Sequence, residues 1–288
     1  MIPIQLDSLK KYYGTSVGVE DVSFCVNAGE VFGFIGPNGA GKSTAIRVLM
    51  GFLRPTGGSA DILGINCFTN GEKARAQVGY VPAEVAAYPN MTAKQFLKYT
   101  AELKGRGADR IEELAVKFEL PLNRKIAHLS TGNKKKISII SALISTPKVL
   151  IFDEPTSGLD PLMQQVFFSV LDEERQRGTA ILLSSHNLTE VQKICDRVGI
   201  IKRGKVISVE SVKALRDKTI KNVEFTTKDT KPEVNLIGVK NLTVNEKTYK
   251  FKYVGDMKDL INYLSTLDLL NVSITDSNLD EMFLHYYD

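Results

Sequence analysis

Three short apolar runs frame the chain: Val31-Phe32-Gly33-Phe34-Ile35, Val149-Leu150-Ile151-Phe152 and Ala180-Ile181-Leu182-Leu183. None alternates with polar residues. Such runs predict strands covered on both faces, as in a parallel sheet flanked by helices. Ile4 to Leu9 and Val19 to Val26 predict two more strands, the second alternating with Val22, Phe24 and Val26 on one face. Ser59 to Leu63 follows the turn Pro55-Thr56-Gly57-Gly58, and Val78-Gly79-Tyr80-Val81 is stopped by Pro82. Val198 to Ile201 and Val206 to Val209 flank Arg203-Gly204 and predict a hairpin.

Helices are predicted between these strands. Ala45 to Met50 contains no helix breaker. Thr92 and Gln95 form a capping box opening a helix to about Lys104, where Gly105-Arg106-Gly107 breaks it. A second helix, Ile111 to Leu120, ends at Pro121, and a third is expected over Lys134 to Ile144. Its first turn would carry three lysines, opposing the helix dipole. They read either as a solvated basic face or as a field that attracts phosphate. Residues 84–146 thus predict a helical subdomain inserted into an α/β core. Pro161 starts a helix to about Arg177, and Asn187 with Glu190 caps another.

Beyond about Lys218 the pattern changes. Strands are expected over Asn222–Thr227, Leu236–Val244, Thr248–Val254 and Leu270–Thr275, with helices over Met257–Leu267 and from Leu279. This predicts two domains, 1–218 and a small α+β domain over 219–288. The second contains no cluster of His, Cys or paired acids and reads as a binding or docking module.

Composition narrows the classes. The chain has 288 residues, long for one core, and the apolar and charged fractions of a soluble protein. No apolar run approaches the ~18 residues of a membrane span, and the N-terminus lacks a secretory pattern. Cys25, Cys67 and Cys195 are scattered without metal spacing and fit reduced thiols in a cytosolic protein. A net charge of +4 is mild and does not argue for nucleic acid.

Chemistry enters at Gly36-Pro37-Asn38-Gly39-Ala40-Gly41-Lys42-Ser43-Thr44, which fits the phosphate-binding loop between a strand and a helix. The glycines allow amide N–H groups to converge on phosphate oxygens, and the helix adds its positive dipole end. Lys42 is expected on the β- and γ-phosphates and the Ser43 hydroxyl on Mg²⁺. The strand over 149–152 delivers Asp153-Glu154 to the sheet edge where ligands of open α/β sheets bind. Asp153 is expected to hold Mg²⁺ through water, and Glu154 to act as general base on the attacking water. His186 follows the strand over 180–183 at the same edge. A tyrosine in the run Lys11-Tyr12-Tyr13-Gly14 reads equally as a purine-stacking ring or as a half-buried strand end.

Taken together, Ile4 to about Val209 resembles the nucleotide-binding subunit of an ABC transporter. Tyr13 matches the family's adenine-stacking aromatic residue. Leu129-Ser130-Thr131-Gly132-Asn133 is similar to the family signature L-S-G-G-Q, altered at its third and fifth positions. Ser130 and Gly132 keep the residues that, in the family, bind the γ-phosphate of the opposite subunit's ATP. Asp153 and Glu154 match the Mg²⁺-binding and catalytic acids, and His186 the switch histidine. Ser157-Gly158-Leu159-Asp160 matches the loop that crosses to the partner. Ala83 stands where the family has a glutamine, with Glu84 next. The ending Asn278-Leu279-Asp280-Glu281-Met282-Phe283-Leu284 is similar to that of ATPase subunits whose permease is a separate chain.

The resemblance implies ATP and Mg²⁺, a head-to-tail dimer, and a membrane permease for export at the cytoplasmic face. The alternative is a soluble ABC-type ATPase acting on nucleic acid or the ribosome. No room for a long coiled coil separates Gly41 from Ser130, and one cassette is present where such translation factors have two. The transported substrate is chosen by the permease and is not legible here.

Overall fold

The structure is a computed structural model and describes residues 1–85, 87–217, 221–228 and 232–276. The chain divides into two compact units, Met1–Val212 and Lys213–Asp288.

In the first unit, β1 (Ile4–Tyr13) and β2 (Ser16–Val26) form a long antiparallel hairpin. The first strand, expected to end at Leu9, runs on to Tyr13. Register shifts after Leu6, Leu9 and Lys11 interrupt its alternation and conceal the second half from a period-2 reading. Then follow β3 (Val31–Ile35), α1 (Lys42–Leu49), β4 (Gly57–Ile62), β5 (Ile65–Asn66), α2 (Gly71–Ala76) and β6 (Val78–Val81). The helices α3 (Ala93–Lys104), α4 (Arg110–Lys117) and α5 (Thr131–Leu143) pack on one another, and α5 lies against β6. The expected capping box on α3 is present, with Thr92 accepting from the Gln95 amide and Gln95 accepting from the Thr92 amide. The remaining elements are β7 (Val149–Asp153), α6 (Pro161–Gln176), β8 (Ala180–Ser185), α7 (Leu188–Ile194), β9 (Arg197–Lys202) and β10 (Lys205–Ser211); α8 (Val212–Asp217) begins at the last residue of this unit and belongs otherwise to the second.

The sheet order is β5-β4-β1-β2-β10-β9-β3-β8-β7-β6. Its β3-β8-β7-β6 part is parallel, and β3, β7 and β8 are buried along their whole length, as their unbroken apolar runs require. Register decides what these strands deliver. Ile35 pairs with Ser185, and Asp153 with Ser184. The C-terminal ends of three core strands therefore coincide at one sheet edge.

The start of α5 corrects one expectation. The helix begins at Thr131, not Lys134, because Ser130 is its N-cap and accepts from the Asn133 amide at 3.3 Å. Lys134, Lys135 and Lys136 thus lie beyond the first turn, and Lys135 and Lys136 are buried rather than part of a solvated face.

The second unit contains β11 (Lys221–Thr227), β12 (Val239–Asn245), β13 (Thr248–Tyr253), α9 (Met257–Ser265) and β14 (Leu269–Asp276). An antiparallel sheet ordered β12-β13-β11-β14 buries Val223, Phe225, Tyr249, Phe251 and Tyr253 with Leu260 and Leu264 of α9. The helix expected from Leu279 lies outside the described residues. Among the described residues no helix is long and apolar enough to cross a membrane.

Candidate nucleotide site

The loop between β3 and α1 wraps one end of a cleft of about 420 Å³. Gly41 caps α1 at φ +111°, and a Cβ there would lie 2.6 Å from the Gly18 carbonyl oxygen. Only glycine fits this turn. No side chain caps α1, and its first turn holds no acidic residue. Its leading amides are therefore left for a ligand, and the helix dipole favours an anion there.

Tyr13, Asn38, Gly39, Gly41, Lys42, Ser43, Thr44, Ala83 and Glu154 line this one cleft. Gly36 and Ala40 belong to the same loop; the Gly36 carbonyl accepts from Lys42 Nζ at 2.6 Å and that of Pro37 at 3.3 Å. Tyr13 is 46% exposed, and the Lys11 ammonium sits 5.2 Å from its ring centre.

The sheet edge supplies the acids. Asp153 is 2% exposed, and its Oδ1 accepts from the Ser184 hydroxyl at 2.6 Å. Glu154 Oε1 lies 3.3 Å from Lys42 Nζ, and Glu154 Oε2 lies 2.8 Å from His186 Nδ1. The Glu154 backbone is left-handed, with φ +50°, and its amide donates to the hydroxyl (3.1 Å) and the carbonyl (3.3 Å) of Ser184. Tyr80 on β6 reports the same negative field: burial first, then Asp153, pushes its phenol up to about 12. Ser184 and Glu190 were not legible as site residues. Ser184 holds both acids, while Glu190 accepts from Thr156 and Ser185. The only sequence sign was a pair of serines closing an apolar strand.

Ser130, Gly132 and Asp160 do not line this cleft. Ser130 is exposed at the head of α5. A Cβ on Gly132 would lie 2.8 Å from the Gly158 carbonyl oxygen, so glycine lets the signature turn meet the loop before α6. Asp160 caps α6, its Oδ1 accepting from the Met163 amide at 2.9 Å. The cysteines are unpaired, and burial raises the Cys67 thiol to about 12.

Residues 19–157 match the family described as ABC transporter. The bacitracin transport ATP-binding protein BcrA of Bacillus licheniformis is 30% identical over 98% of this chain and 96% of its own length. The Nod factor export ATP-binding protein I of Rhizobium etli is 30% identical over 99% of this chain and 93% of its own. Among solved structures, an ATP binding subunit of an ABC transporter has a TM-score of 0.71 at 32% identity, covering 75% of this chain and 92% of that one. A dimeric bacterial ABC transporter cassette shares the fold at TM-score 0.67 and 23% identity, over 73% of this chain and 98% of that one. With a phosphate loop, an acid-bearing sheet edge and a whole-length relative all agreeing, the chain belongs to the ATP-binding ATPase subunits of the ABC transporters.

Proposed function

We propose that this subunit hydrolyses ATP as one half of a head-to-tail homodimer and so drives export through a separate membrane permease. The observation that carries the reading is the position of Glu154, which joins Lys42 and His186 at the wall of the phosphate-loop cleft. In this reading Tyr13 stacks on adenine, the loop from Gly36 to Thr44 cradles the phosphates, and Lys42 moves from Glu154 to the β- and γ-oxygens. Glu154, released, takes a proton from the attacking water, and His186 orients its second oxygen. Left-handed backbone and two hydrogen bonds from its amide hold Glu154 in place for that transfer.

The donor set fits Mg²⁺. Ser43 lines the cleft, and Asp153 is a buried carboxylate with one oxygen left over from its bond to Ser184. Both are hard oxygen donors, and Mg²⁺ is held in this manner, by few protein ligands together with phosphates and water. When bound, the ion neutralises charge on the β- and γ-phosphate oxygens. Among the described residues no group of three His, Cys, Asp or Glu is disposed to hold a metal without the nucleotide.

The dimer follows from what the cleft lacks. Ser130 and Gly132 lie outside it, so their action on a γ-phosphate requires a second copy's ATP, with Asp160 in the loop that crosses. The dimeric cassette that shares the fold supports this, the relative named for bacitracin transport supports a transporter, and the relative named for Nod factor export supports one working outward. The working location is then the cytoplasmic face of the membrane. The ATPase machinery is assigned to 1–218, with its helical subdomain at 84–146, and an accessory role to 219–288. The test is ATP-dependent dimerisation of Glu154→Gln by light scattering, with co-purification of a permease from detergent-solubilised membranes. A variant that stays monomeric at saturating ATP would overturn the dimer.

A further inference from the structure

Lys135 is 2% exposed, on the helix whose first turn carries Gly132. Its ammonium donates to the carbonyl oxygens of Pro82 at 3.2 Å and Ala83 at 3.1 Å. These are the first residues beyond β6, and Ala83 lines the cleft beside Lys42 and Glu154. Among the described residues Lys135 supplies the only hydrogen bonds to Pro82 and Ala83.

A buried ammonium is expensive unless charges or dipoles offset its lost hydration. Here burial lowers the Lys135 pKa, while Asp153 and Glu154 act in the opposite direction. An apolar side chain of similar length would fill the same space without that penalty. The cation at this spot therefore does something packing does not require. It holds the wall of the cleft, at a loop whose alanine has no side chain able to reach across.

We propose that Lys135 is a positioning residue that ties the Pro82–Ala83 segment to α5, so that the wall of the chain's own nucleotide cleft and its signature turn move as one piece. The link runs from Ala83 through the Lys135 ammonium to α5, and along that helix to Ser130 and Gly132. A shift of the cleft wall when nucleotide binds then reaches the turn that serves the partner's ATP. This last step rests on the head-to-tail reading above; the tie itself does not.

The experiment uses full-length Lys135→Met, which keeps length and apolar bulk, and Lys135→Gln, which restores a donor without charge. Hydrogen exchange is followed over residues 78–85 and 130–136, with ATP affinity, kcat and KM measured alongside. Lys135→Met should speed exchange in the segment after β6 by roughly tenfold, as expected when a local tether is lost. Its kcat should fall by roughly tenfold, a cost in line with a misplaced site wall, with KM within about threefold. Lys135→Gln should recover a large part of both. Wild-type exchange and kcat in Lys135→Met would overturn the proposal. So would equal damage in both variants with exchange raised throughout α5, which marks a merely structural role. Wild-type protein gives a second test that needs no buried substitution. At a concentration where the chain is monomeric, ATP should protect both segments together, and protection of one without the other would overturn the tie. Failure of the head-to-tail reading is distinguishable, because it would show as normal turnover in Ser130 variants whatever the exchange result.

Discussion

Lys42 and Glu154 form an ion pair in the wall of the cleft, 3.3 Å apart, with side chains only 6% and 18% exposed. In the proposed reading, nucleotide binding is an exchange of partners: Lys42 leaves a carboxylate for phosphate oxygens, and Glu154 is freed as the phosphates arrive.

Lys42→Ala should weaken ATP binding by about 3 kcal/mol, or roughly hundredfold, since it removes charge-assisted contacts to two phosphates. Equilibrium binding of labelled ATP reads this directly. Unchanged affinity would mean that the nucleotide sits elsewhere.

Glu154→Gln should slow hydrolysis by roughly two orders of magnitude or more, the contribution expected of a general base. ATP affinity should hold, because the change takes a negative charge away from incoming phosphate. His186→Ala acts on the other oxygen of the same carboxylate and should also lower kcat while sparing binding. Single-turnover rates with ATP affinity check both, and wild-type turnover in Glu154→Gln would remove it from the base role.

Ser130 has two duties that substitution can separate. It caps α5, and in the proposed dimer it meets the partner's γ-phosphate. Ser130→Arg loses both. Ser130→Asp keeps a good cap, so stability should change by less than about 1 kcal/mol. Its carboxylate would repel phosphate, so hydrolysis should be lost while ATP binding to the monomer stays near normal. A monomer of either variant that no longer binds ATP would contradict the head-to-tail arrangement.

A chain ending after Asp217 should still bind ATP. The second unit has its own core of Val223, Phe225, Tyr249, Phe251 and Tyr253, and the phosphate loop, Tyr13 and Glu154 all belong to the first. What such a truncation should lose is regulation or assembly with the permease, read as stimulation of turnover in reconstituted vesicles. Loss of all nucleotide binding would contradict the division.

Where candidate site residues are consecutive in the chain, their place in the fold is legible. The run Gly36–Thr44, the acid pair after an apolar strand and the histidine after another all converge on one sheet edge, because strand ends are set by local pattern and register brings them level. Where a residue's role depends on what packs above it, the pattern misleads. Three successive lysines look solvated in one dimension, yet α5 presses Lys135 against the segment leaving β6. The start of α5 was missed for a related reason: Ser130 is followed three residues on by Asn133, without the Glu or Gln of a capping box, and glycine stands in the first turn. Ser184 shows the same limit, since its partner Asp153 is a neighbour only across the sheet. The short β5 and α2 carry too few residues to show any period.

The left-handed backbone of Glu154 has a consequence for how this protein can be made hardier. A side chain with a Cβ in that conformation costs about 1 kcal/mol or more, and the paired bonds to Ser184 hold it there. Asparagine or glycine would relax the backbone but remove the carboxylate. Heat resistance and turnover therefore pull this one position in opposite directions. A library selected for survival at high temperature alone should accumulate such changes at residue 154 and return robust, inert subunits.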